Sequence, residues 1–292
     1  MSVRLASALL WIALGAIFAI GMVSMAGHAG RFVVPVGFFG LGAFLLTRKN
    51  DPPLRVGPVP VPHTILGAIT IVLSVASLYT IFVMAPVELQ MGIVQKIFYF
   101  HVPSAYAMYV AFVTSAVGSA VYLWRRDERW DALAVSGAEV GLIFVMIVLI
   151  TGPLWARKAW GTYWTWDPRL TTTLLAGMIY VAFNVLRGLG QAGEAEKRFA
   201  SALGFLGLLL LPVIHYSVQR WRGQHPTVIT RAGGGIHPDM VPALVIGFVL
   251  FTALVALLIW SRYRIERVKQ RVIALELEAA ESGLLEEEGA SS

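Results

Sequence analysis

The chain has 292 residues, of which 57% are hydrophobic and 14% charged, and its mean hydropathy is +0.72. That composition excludes an ordinary soluble domain and fits a chain dissolved mainly in lipid. The net charge of +6 does not point to nucleic acid, because Lys and Arg gather in short segments between apolar runs; the absence of cysteine excludes disulfides, thiolate metal sites and thiol nucleophiles.

A bilayer core of about 30 Å needs about 20 apolar residues of helix. Eight runs qualify in chain order: 5–26, 32–47, 64–86, 103–124, 132–152, 170–187, 199–218 and 240–261. The expected fold class is therefore an all-α integral membrane protein, a polytopic bundle of about eight transmembrane helices. The first run follows Arg4 and ends at Ser24-Met25-Ala26 like a cleavable signal, but its length favours a retained anchor. The second is Gly-rich, contains Pro35 and reads as a tilted or re-entrant segment. A Pro-rich stretch, 48–63, is stiff and extended. It separates an N-terminal hairpin and linker (1–61) from a six-span core (62–262), after which a charged tail (263–292) follows. With the N-terminus inside, the inner segments hold roughly twice as many Lys and Arg as the outer ones. Both termini are thus expected in the cytoplasm, with 87–102, 153–169 and 219–239 outside.

Glu139 is the one acid within a span, which makes a functional role one reading; because it lies less than two turns from the inner end, snorkelling or a helix–helix hydrogen bond is the alternative. In the tail, Ile265, Val268, Val272 and Leu275 fall on one helical stripe. An extension of the last helix explains them, and a partner-docking helix is the alternative.

The third outer loop, expected over 153–171, concentrates Trp155, Trp160, Trp164 and Trp166 around Tyr163, with glycine and proline shaping the backbone. An interfacial aromatic belt spreads its rings over many helix ends, so this concentration favours a platform for a flat, apolar ligand. His101, next to the expected start of a span at Pro103, and His215, one turn beyond Pro212, fall on the same side. Imidazole is a standard axial ligand of haem iron, and two from different helices can take opposite faces of one porphyrin. Arg157, Lys158, Arg169, Arg220 and Arg222 lie on that side to meet the propionates. Asp167 is expected to order the loop by capping or by pairing with an Arg. His28, His63, His225 and His237 read as solvated loop or linker histidines.

Three blocks, IFYFHVPSA (97–105), GTYWTWDPRLT (161–171) and LPVIHYSVQRW (211–221), resemble the WWD haem-handling protein family, and within it cytochrome c maturation protein C (CcmC). The resemblance implies haem b bound outside the bacterial inner membrane, with His101 and His215 as the axial ligands of its iron. It also implies a cradle running from Trp155 to Asp167 and delivery to a haem chaperone, cytochrome c maturation protein E. The ABC transporter subunits A and B and the small membrane protein D of the maturation system are the other implied partners. Residues 1–61 are additional to the family's usual six spans. The related cytochrome c synthases typically continue Lys-Glu or Val-Glu after the WDP tripeptide, whereas Arg169-Leu170-Thr171 follows here. That favours a delivery factor over an independent catalyst; a haem lyase subunit and a haem transporter are the alternatives.

Overall fold

A computed structural model describes residues 59–188, 193–221, 223–226 and 235–283. The expected runs 5–26 and 32–47 lie outside these residues. Among the described residues no β-strand forms, and six helices are long and apolar enough to cross a membrane. They are α1 (Val61–Tyr79), α2 (Phe98–Arg125), α3 (Glu128–Trp160), α4 (Pro168–Gly188), α5 (Glu194–Trp221) and α6 (Val241–Glu281). The chain is a multi-pass helical membrane protein.

Every helix after α1 outruns its apolar stretch. Hydropathy marks only the part that meets hydrocarbon, while helix continues into polar ends wherever backbone bonds and good formers carry it. α6 is the extreme case: its 41 residues span about 60 Å at the usual rise, twice the thickness of a bilayer core. It runs unbroken through residue 262, and Ile265, Val268, Val272 and Leu275 stay exposed on its far half.

α1 closes with a π turn, Thr80–Met84. Lys96, within the segment 87–102 expected outside the membrane, is buried and donates to the carbonyls of Ile81 and Ala85, the latter at 2.9 Å. The end of a helix leaves carbonyls without intrahelical donors, and an ammonium with three N–H groups satisfies two of them here.

α2 and α3 form a tight hairpin. Arg126 takes a left-handed conformation (φ 55°) to end α2, and Asp127 caps α3 by accepting from the Arg129 amide at 2.9 Å. The two helices then pack backbone against backbone. A β-carbon on Gly118 would lie 2.6 Å from the Ala134 amide nitrogen, and one on Gly137 2.5 Å from that of Ser115. Small residues permit such contact where lipid offers no hydrophobic drive between helices. Gly137→Val is expected to destabilise the bundle by about 1–3 kcal/mol through forced separation of the pair. Thermal unfolding in detergent measures this, and an unchanged midpoint would contradict the close approach.

α4 and α5 complete the core around Tyr180, whose ring stacks on Phe112 at 3.7 Å between centroids and whose hydroxyl reaches the carbonyls of Phe112 and Gly204. At the end where α3 and α5 begin, ion pairs tie the helices together. Asp131 meets Arg187 at 2.6 Å and Glu128 meets Lys197 at 2.8 Å. Glu139 pairs with Arg262 of α6, which also reaches Glu266 at 2.9 Å. The intramembrane acid therefore serves a helix–helix contact.

Candidate functional site

At the opposite end a cavity of about 320 Å³ opens between α2, α3, α4, α5 and α6. Its walls are mostly aromatic and aliphatic, and its polar groups include His101, His215, His225, Arg169 and Gln95. A concave, largely apolar site with a few placed polar groups is the usual form of a small-molecule pocket.

His101 stands on the first turn of α2, which begins at Phe98 and continues through Pro103. Pro103 is thus inside the helix, in its early part where a missing N–H matters least. The His101 Nδ1 lies 2.8 Å from the Thr151 hydroxyl, which donates its own proton to the Ile147 carbonyl at 2.6 Å. With that proton committed, the Thr151 oxygen accepts from His101, so Nδ1 carries the ring proton and Nε2 keeps its lone pair. This is the arrangement that prepares an imidazole to ligate a metal through Nε2. Gly152 adds room: a β-carbon there would come within 3.3 Å of the His101 ring.

His215 lies near the end of α5, which continues through Pro212. Its ring packs edge-on to Tyr216 at 4.9 Å. Its backbone is held from α4: Arg169 donates to the carbonyl of Ile214 at 3.2 Å and to that of His215 at 2.9 Å. Arg169 therefore grips the helix that carries His215, and its third contact is His225 Nδ1 at 3.2 Å.

Residues 59–278 match the family model described as Heme exporter protein C. The chain belongs to the Heme exporter protein C family. It is 34% identical to the protein of that name from Bradyrhizobium diazoefficiens over 232 residues, 78% of this chain and 87% of the relative. The Escherichia coli K12 protein of the same name is 33% identical over 60% of this chain and 72% of its own length. A ccmC-like mitochondrial cytochrome c biosynthesis protein of Arabidopsis thaliana is 30% identical over 72% and 80%. The match to the Heme exporter protein C family spans every residue lining the cavity and leaves 1–58 outside it.

Within this family member the tryptophan segment differs from the expected loop over 153–171. α3 runs on to Trp160, carrying Trp155, Arg157 and Lys158 with it, and the loop is only 161–167. Pro153 sits within the helix, as transmembrane helices tolerate. The stop comes at Gly161, whose left-handed backbone (φ 78°) lets its amide bond the Arg157 carbonyl. Trp155 and Trp160, edge-to-face at 5.8 Å, thus reach the cavity from a rigid helix and Trp164 from the loop. Trp155 is further pinned by its indole N–H donating to Gln95 at 3.3 Å.

The other expected contacts stand apart. Trp166 and Tyr163 are 75% and 56% exposed and do not line the cavity. Arg157 stacks over Tyr163 and donates to the Gly161 carbonyl, so it finishes the helix end. Asp167 is buried and caps α4, accepting from the Arg169 amide at 2.8 Å. Gly223 packs directly against its carboxylate, where a side chain would collide.

His225, expected to be a solvated loop residue, is instead part of the cavity. The chain after α5 turns back and sets its ring in the cavity wall beside Arg169. Burial, then Arg169, then His101 push its pKa down to about 4, so the ring is neutral at physiological pH. His63 is likewise engaged, bonding Ser261 at 2.8 Å and packing on Trp260; His237 is exposed, and His28 lies outside the described residues. No periodic signal marks His225.

Proposed function

We propose that this protein holds haem b at the extracytoplasmic face of the bacterial inner membrane, between His101 and His215, and loads it onto a haem chaperone during cytochrome c biosynthesis. The observation that carries the reading is the shared cavity: two histidines from separate helices, one with a bare Nε2, face a space walled by Trp155, Trp160 and Trp164. Among the described residues no three metal-ligating side chains converge closely enough to hold an ion alone. That suits an iron already held by four porphyrin nitrogens, which asks the protein for axial ligands only.

The charge distribution supports placing the cavity end outside the cytoplasm, since the opposite end carries Arg125, Arg126, Arg187, Lys197 and Arg198. In this reading haem is cargo. The protein binds, orients and presents it, while the acceptor, cytochrome c maturation protein E, supplies the group that forms the covalent bond. Exposed Trp166, packed edge-on against the cavity-lining Trp164, is available for that encounter. The ABC subunits A and B and the small protein D act in the same assembly.

Co-expression with either the chaperone or an apocytochrome c tests the assignment. Covalent haem should appear on the chaperone and not on the apocytochrome. The reverse pattern would make this chain a haem lyase subunit and overturn the delivery role.

A further inference from the structure

We propose that Arg169 and His225 together form a subsite for a carboxylate of the molecule held in the cavity, with His225 donating from Nε2. That the carboxylate belongs to a haem propionate rests on the function proposed above; the donor arrangement rests on the geometry alone.

Arg169 is a fixed cation in the cavity wall. Three of its five N–H groups go to neutral acceptors: the carbonyls of Ile214 and His215 and the His225 ring. No carboxylate forms an ion pair with it among the described residues. The neighbouring acid, Asp167, turns one oxygen to the Arg169 backbone amide, and its other oxygen is buried without a partner among the described residues. The Asp167 charge acts on Arg169 through space, but with no ion pair the guanidinium keeps two N–H groups for a further acceptor. An anionic group in the cavity can take them.

The tautomer of His225 follows from its partner. A guanidinium can only donate, so the 3.2 Å contact requires a bare Nδ1 and leaves the single ring proton on Nε2. The Pro226 carbonyl, 3.1 Å from the same nitrogen, asks for the opposite tautomer. The adjacent positive charge decides between them, because a lone pair facing a cation is a charge-assisted bond and an N–H facing it is repelled. His225 thus presents a donor where His101 presents a lone pair. The cavity holds imidazoles of both kinds: one suited to an electrophilic metal centre, one to an anionic oxygen.

The test compares haem with haem dimethyl ester, in which both carboxylates are blocked, titrated into the full-length protein in detergent and read by absorption. Wild type should bind haem about 10- to 100-fold more tightly than the ester. His225→Phe should lose a large part of that preference, Arg169 carrying the remainder, and keep the six-coordinate low-spin spectrum. His225→Gln, which restores a donor, should recover part of the preference. A His225→Phe protein that still prefers haem to the same degree overturns the subsite. Loss of the low-spin spectrum in that variant also overturns it, by making His225 an iron ligand. If wild type takes up neither compound, the haem reading itself fails. If it takes up both equally with a low-spin spectrum, the haem reading stands and the carboxylate subsite falls.

Discussion

Alanine in place of His101 is expected to abolish the six-coordinate low-spin spectrum of the haem-loaded protein, and His215→Ala to do the same. Each removes the one imidazole that its helix brings to the cavity, and a neutral methyl group offers iron nothing in return. The more discriminating variant is Thr151→Val. It keeps His101 in place but removes the acceptor that holds the ring proton on Nδ1. Loss of such an outer partner typically weakens metal binding by about 10–100-fold. Thr151→Val should therefore bind haem more weakly with the low-spin spectrum retained at saturation, and Thr151→Ser should restore affinity. Unchanged haem content and spectrum in both histidine variants would remove the axial assignment. A full effect of Thr151→Val on the spectrum at saturation would show that the threonine shapes the cavity rather than orients the ring.

Much of the site could be read from residue order, because its parts lie at helix ends and helix ends are written in hydropathy. His101 and His215 each stand at the edge of an apolar run, on the same side by the count of flanking Lys and Arg. The tryptophans stood out by density. What residue order concealed was where helix stops. Gly152 and Pro153 look like loop residues, yet α3 passes through both and ends at Gly161. Proline signals a break in water, where a freed carbonyl can find a solvent partner; within a bundle the helix continues. Trp155 and Trp160 consequently sit on a rigid rod, a firmer platform than a loop provides.

His225 was hidden for a different reason. Its neighbours, Gln224 and Pro226, form no period, and nothing local says that a segment following α5 folds back over the bundle end. Its position depends on a contact with Arg169, 56 residues earlier. Lys96 shows the same limit: a cation counted for topology proved to be a helix cap buried at 5% exposure. Charge counting treats every Lys as solvated, and tertiary contacts decide which are. The backbone contact at Gly118 and Gly137 was also silent, since glycine in an apolar run looks like filler until the facing helix is known.

The second large effect is expected far from the cavity. Arg187→Met should lower stability by about 3–5 kcal/mol, because it leaves the Asp131 carboxylate buried without its cation. The two side chains are 8% and 1% exposed and 2.6 Å apart, and Gln270 of α6 is the remaining donor to Asp131, at 3.1 Å. The pair therefore ties α4 to α3, with α6 bonded to the same carboxylate. Yet its net contribution is small, since Nε and Nη1 of Arg187 are themselves buried without partners among the described residues and desolvation opposes the attraction. The double variant Asp131→Asn/Arg187→Met should accordingly recover most of the loss, with strong coupling in a double-mutant cycle read by thermal unfolding in detergent. Additive losses would mean that each residue acts alone and that the ion pair is incidental. The haem spectrum supplies the control. α4 has 21 residues, about 30 Å of helix, and Arg169 stands at its far end. The spectrum of either single variant should be that of wild type below its melting temperature, and a change in it would mean that the ion pair positions Arg169 as well as holding the bundle.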